Sequence, residues 1–158
     1  PHFGNFRVRL DAAGLADQIV CFDFGAALPL SKSFVSIYRR LLLALLANQR
    51  EVTRSVLIEL GFLAEQADQA HSNRLFDLCR IFMEPVLTRD KYDWGKSNLA
   101  SRTLAESRHF IFQPNIQLPP VEMISLNRKA GGIYILMSKL GARFDARTLL
   151  DSYLTTTE

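Results

Sequence analysis

Phe6-Arg7-Val8-Arg9-Leu10 and Gln18-Ile19-Val20-Cys21-Phe22 are two short β-rich runs on either side of Asp11-Ala12-Ala13-Gly14. Alternating and β-branched residues around an Asp-to-Gly turn predict an antiparallel hairpin over 6–22. From about Ser31 onward that pattern is replaced by apolar residues at helical spacing. The expected fold class is therefore mainly α, an N-terminal β-hairpin followed by a helical bundle over 31–154. At 158 residues a single domain over 1–158 is expected, large enough to bury roughly 70% of the surface its unfolded chain exposes.

A hairpin brings its two ends together. Here one end is Pro1-His2-Phe3-Gly4-Asn5 and the other is Asp23-Phe24-Gly25. The Asn5 carboxamide and the Asp23 carboxylate are thus expected side by side, and both are hard oxygen donors of the kind magnesium prefers. In kinase-like sites the metal on the nucleotide phosphates is held by the Asp of Asp-Phe-Gly and by an Asn that closes the Asp-x-x-x-x-Asn catalytic loop. Counting back from Asn5, that loop's catalytic Asp falls immediately before Pro1, so the chain reads as a fragment with no catalytic residue of its own, inactive in isolation. No Gly-rich phosphate loop or Val-Ala-x-Lys strand is present, which places the small N-terminal lobe in missing sequence. Spacing alone fits an ordinary surface hairpin equally well, with Asp23 capping the helix that follows.

Pro1-His2-Phe3-Gly4-Asn5 is similar to the Asp-Pro-His-Pro-Gly-Asn signature of the UbiB/AarF family of atypical, kinase-like ATPases, which continues through a hairpin into Asp-Phe-Gly. Phe3 departs from the family's Pro and frees a backbone angle that Pro would fix. Tyr38-Arg39-Arg40-Leu41-Leu42, Glu59-Leu60-Gly61-Phe62-Leu63, Pro119-Pro120-Val121-Glu122, Arg128-Lys129-Ala130-Gly131-Gly132 and Ser138-Lys139-Leu140-Gly141-Ala142-Arg143-Phe144 also resemble this family. The resemblance covers essentially the whole chain and implies a protein-kinase-like C-terminal lobe. It further implies ATP and Mg2+ as cofactors, with Asn5 and Asp23 on the metal, Phe24 packing beneath the site and Gly25 letting the backbone turn. The implied role is ATPase or kinase chemistry supporting ubiquinone or related isoprenoid-lipid biosynthesis, with nucleotide, a biosynthetic complex and a membrane surface as partners. The implied setting is intracellular: a bacterial cytoplasm or a mitochondrial or plastid interior, at a membrane face. The alternative from another class is a pseudokinase scaffold or lipid-binding module without turnover.

Other features narrow the field. Nineteen Lys and Arg against sixteen Asp and Glu leave a formal charge of +3, and the basic residues are scattered, which is no nucleic-acid footprint. The longest apolar run, Leu41 to Ala47, is far short of the ~20 residues that span a bilayer. Cys21 and Cys79 are the only cysteines and read as buried free thiols in a reducing compartment. His71 and His109 lack metal-ligand spacing. No Ala-Pro-Glu tripeptide follows Asp-Phe-Gly, so the peptide platform of conventional protein kinases has little room to form.

Along the helical part, the first helix is expected to start at Ser31 or Lys32, burying Phe34, Ile37, Tyr38, Leu41, Leu42 and Leu45 and turning Arg39 and Arg40 to solvent. Helices follow over Glu51–Leu60, with Val52, Val56, Leu57 and Leu60 inward and Gly61 as cap, and over Ala64–Met83 with Leu75, Leu78, Cys79 and Phe82 on one side. Thr88 to Lys96 reads as a loop whose Trp94 plugs the core edge rather than forming a docking surface. After a helix over Ser97–His109, Pro119-Pro120 introduces the longest helix, with Leu126, Ala130, Ile133, Met137 and Leu140 on one face. Gly131-Gly132 in its middle suggests close approach of another helix. A last helix runs over Asp145–Leu154, and the tail beyond it is expected to fray.

Overall fold

The computed structural model describes residues 3–14, 17–22, 27–111 and 119–155. Strands β1 (Phe6–Arg9) and β2 (Gln18–Cys21) pair antiparallel, with Phe6 opposite Cys21 and Val8 opposite Ile19. The Gly14 N–H donates to the Asp11 carbonyl at 2.9 Å, and Gly14 takes a positive φ of 68°, the left-handed conformation that Gly reaches without a Cβ penalty. The rest is mainly helical: α1 (Lys32–Leu46), α2 (Arg50–Glu59), α3 (Gln69–Phe82), the short α4 (Glu84–Leu87), α5 (Leu99–Ile111), α6 (Val121–Lys139) and α7 (Ala146–Thr155). A second antiparallel pair, β3 (Tyr92–Asp93) with β4 (Arg143–Phe144), ties the loop before α5 to the segment after α6. This mainly α architecture is consistent with the kinase-like C-terminal lobe expected from the sequence.

The helix ends follow local chemistry. Ser31 caps α1, its Oγ accepting the Phe34 N–H at 3.2 Å, which satisfies a donor the helix itself leaves unpaired. At the end of α2 the Gly61 N–H reaches the Ile58 carbonyl at 2.9 Å and the Phe62 N–H reaches the Leu57 carbonyl at 2.8 Å. With Gly61 at φ 71° this is a complete Schellman turn. Helix α3 begins at Gln69 rather than Ala64. The Asp68 carboxylate caps it by accepting the His71 N–H at 2.6 Å, while the Arg54 guanidinium donates to the Glu65 carbonyl at 2.8 Å and holds the preceding residues in a loop.

Two apolar clusters make the interior. The larger joins Phe34, Leu41 and Leu45 of α1, Val56 and Leu57 of α2, Leu75 and Phe76 of α3, and Met123 of α6. Tyr38, Ile37 and Leu42 pack against it half-buried, whereas Val52 points outward and Thr53 takes the interior position on α2. Thr53 is accommodated because its hydroxyl donates to the Gln49 carbonyl at 2.8 Å. The smaller cluster is Tyr92, Trp94 and Leu99, with Tyr134, Met137 and Phe144 around them. Trp94 is the core plug expected of it, 4% exposed and ringed by Tyr92, Tyr134 and Phe144.

The inward face of α6 is rotated from the one expected. Leu126, Ala130 and Met137 are part-buried, but Ile133 and Leu140 are exposed and Met123 and Tyr134 take their places. Tyr134 decides the rotation, since its ring sits 4.8 Å from that of Phe82 and its hydroxyl donates to the Phe82 carbonyl at 2.9 Å. Nor does close helix packing explain Gly131, because a Cβ there would meet nothing within 4 Å. Arg39 also departs from expectation: it is half-buried and donates to the Leu154 carbonyl, one of the carbonyls that the end of α7 leaves without a helical partner. Arg40 is exposed and pairs with Glu59 at 2.9 Å. Cys21 and Cys79 are half-buried rather than fully enclosed.

Candidate functional site

The sequence places the candidate metal donors at the base of the hairpin, and the hairpin closes there. A single 3-10 turn over Phe3–Asn5 leads into β1, leaving Asn5 half-buried. Beyond the Phe6–Cys21 pair the antiparallel register continues one step: the Phe22 N–H donates to the Asn5 carbonyl at 2.9 Å. Asn5 is thereby held against Phe22, the residue that precedes Asp23 in the chain. Asp23, Phe24 and Gly25 lie outside the described residues, as does the junction to Pro1 and His2.

The fit to magnesium rests on donor type and number. Among the described residues no group of three or more His, Cys, Asp or Glu side chains could hold a metal. A protein cage is therefore not what the described part offers. One carboxamide and one carboxylate suit magnesium all the same, because this ion usually takes one or two protein oxygens and completes its shell with substrate phosphates and water.

The hairpin presents an apolar surface. Val8, Leu10, Ile19 and Phe22 are all more than half exposed, and Val8 and Ile19 face each other across the ladder. His71 on α3 is half-buried with its ring against that of Phe110, a packing role in keeping with its lack of ligand spacing. The side chain of His109 lies outside the described residues.

One polar cluster escaped the sequence reading. The Arg102 guanidinium grips Glu84 with two donors, one at 3.1 Å, and the Tyr92 hydroxyl donates to the same carboxylate at 2.8 Å. These residues come from α5, α4 and β3, so no short-range spacing announces them. Arg102 holds the Glu84 carboxyl below its ordinary 4.5, while burial pushes the Tyr92 phenol up to about 12. Because the folded value for Glu84 is depressed, the stabilisation it brings is complete above about pH 4.5 and is lost as pH falls through the lowered folded value. Glu84→Gln is expected to cost about 1 kcal/mol at neutral pH, at the low end for a charge-assisted pair that stays partly exposed. Thermal melts between about pH 7 and about pH 3 check this: the gap in Tm between the variant and the parent should close on the acid side.

The sequence is 31% identical over 158 residues, 98% of this chain, to a protein of Schizosaccharomyces pombe named atypical kinase COQ8, mitochondrial, of which it covers 25%. Over nearly its whole length the chain resembles the UbiB-type atypical kinases. Its likeness extends to the atypical kinase COQ8 of Saccharomyces cerevisiae, 27% identical over 90% of this chain and 28% of that protein, and to the zebrafish Danio rerio COQ8B, 25% identical over 97% and 24%. All three are named as mitochondrial atypical kinases. The chain spans about a quarter of their length. No family model matches it. No helix among the described residues is long and apolar enough to cross a membrane.

Proposed function

We propose that the protein carrying this chain is an ATP-using atypical kinase or ATPase whose nucleotide is held through magnesium by Asn5 and Asp23. The observation that carries this reading is the 2.9 Å hydrogen bond from Phe22 to Asn5, which closes the hairpin between the two halves of the motif. Bound magnesium would neutralise the phosphate oxygens on which phosphoryl-transfer chemistry depends. Asn5 supplies a neutral oxygen donor from a backbone pinned by the ladder, and Asp23 supplies the anionic donor. By the family resemblance, Phe24 would pack beneath that carboxylate and Gly25 would permit the turn that follows. The exposed apolar face of the hairpin is where the rest of a nucleotide-binding lobe would seat, in keeping with relatives about four times as long.

The cellular role proposed is support of ubiquinone or related isoprenoid-lipid biosynthesis, in a mitochondrial setting like that named for the relatives, alongside a membrane-associated biosynthetic complex. The test is nucleotide binding by the full-length protein with and without magnesium. Binding should require the metal, weaken strongly in Asp23→Ala and Asn5→Ala, and persist in Asp90→Ala, a surface carboxylate that accepts the Lys91 N–H. Metal-independent binding, or equal loss in all three variants, would refute the assignment. Binding that survives without any hydrolysis or transfer would point to a scaffold instead.

A further inference from the structure

Helices α1, α3, α5 and α6 leave a cavity of about 570 Å3 between them, inside the range of roughly 300–1,000 Å3 common for small-molecule sites. Leu42, Leu78, Phe82 and Met123 are among its walls, and among the described residues no Asp, Glu, Lys or Arg lines it. Leu104 and Ile135 line it while remaining 55% and 48% exposed, so its mouth lies between α5 and α6. Among the described residues the lining shares none with the hairpin site.

Two features distinguish this space from a packing defect. Gly131 lines it from the middle of α6, and a Cβ there would meet nothing within 4 Å. A helix-interior Gly costs about 1 kcal/mol relative to Ala, and here no neighbouring chain offsets that cost; what Gly131 contributes is room. The second feature is Thr103 on α5. Thr53 within α2 and Thr88 at the end of α4 both donate to the carbonyl four residues back, at 2.8 and 2.9 Å. The Thr103 hydroxyl oxygen is buried with no hydrogen-bond partner among the described residues, and Thr103 lines the cavity together with Ser107 and Asn127.

We propose that this cavity binds an uncharged small molecule, apolar over most of its length, carrying one hydroxyl or carbonyl group that pairs with Thr103. The uncharged lining selects against ions, since a carboxylate or ammonium buried without a partner is strongly disfavoured. The proposal is independent of the metal–nucleotide reading, and a failure of either leaves the other standing.

The experiment titrates the neutral fluorophore N-phenylnaphthylamine into the full-length protein. A saturable rise in emission is expected, competed by dodecanol and at least about tenfold less effectively by laurate. Gly131→Leu puts a side chain into the open space and improves helix propensity. Dye binding should weaken at least about tenfold while Tm stays level or rises. Thr103→Val keeps the shape and removes the hydroxyl, and dodecanol should bind about fivefold more weakly, as for loss of one ordinary hydrogen bond. The proposal is overturned if the parent protein shows no saturable binding, which would mean that a segment of protein fills the space. It fails equally if laurate competes as well as dodecanol, if Gly131→Leu folds and binds dye normally, or if Thr103→Val leaves dodecanol affinity unchanged.

Discussion

Trp94→Ala should lower the Tm of the protein by roughly 6–20 °C, the consequence of a loss of about 3–5 kcal/mol when a large buried aromatic is truncated in a domain of this size. The indole is 4% exposed. Its ring lies 4.9 Å from Tyr134 and 5.1 Å from Tyr92, and stacks on Phe144 at 5.9 Å. Its backbone N–H donates to the Ala142 carbonyl at 3.0 Å, extending the β3–β4 pair that joins the two ends of the α5–α6 region. Ala leaves that backbone bond intact, so the loss measured is that of the aromatic contacts. Neighbouring Gly95 leaves little scope for the site to collapse, since a Cβ there would already stand 3.2 Å from the Gly141 Cα. Trp94→Phe sharpens the experiment. The indole Nε1–H has no hydrogen-bond partner among the described residues, so Phe discards an unsatisfied donor and keeps a ring, and the loss should be less than half that of Ala. A Trp94→Ala melt within about 3 °C of the parent would contradict the packing assigned to this cluster.

Trp94 also marks where sequence is a good guide. A lone Trp beside a loop either serves a partner or covers the edge of a core, and the second reading holds, with Tyr92 and Phe144 against the indole. The hairpin and the start of α1 were legible for a similar reason: Asp11-to-Gly14 and Ser31 act through bonds spanning three residues, which spacing alone reports. Gly61 as the end of α2 belongs to the same class.

What spacing reported poorly was anything set by a distant partner. The rotation of α6 depends on Tyr134 meeting Phe82, 52 residues away, and an apolar stripe drawn through Ile133 is just as regular. Arg39 finds a carbonyl 115 residues on. The start of α3 is delayed by Arg54, whose grip on Glu65 no helix propensity contains. Gly131 illustrates the converse: the sequence flags that backbone without a side chain is wanted, and only the packing distinguishes a close helix from an open cavity. For the hairpin site, chain order shows that Asn5 and Asp23 flank one turn, and the ladder adds that Asn5 meets Phe22.

Asn5→Ala should weaken magnesium-dependent nucleotide binding by the full-length protein on the order of tenfold to hundredfold, the range for loss of one contact to a charged group. Asp23→Ala should weaken it by a hundredfold or more, about, because the anionic donor carries most of the attraction to the cation. The bond that closes the hairpin should survive Asn5→Ala, since it runs from Phe22 to the Asn5 backbone carbonyl, which Ala retains. The double variant then decides whether the two side chains serve one ion. Groups that act on a shared partner are coupled, so that once the first is gone the second has little left to hold. Binding by the double variant should accordingly be no more than about threefold weaker than by Asp23→Ala alone. Fully additive losses would mean that Asn5 and Asp23 act on separate parts of the nucleotide, and the shared-metal geometry at the foot of the hairpin would have to be abandoned.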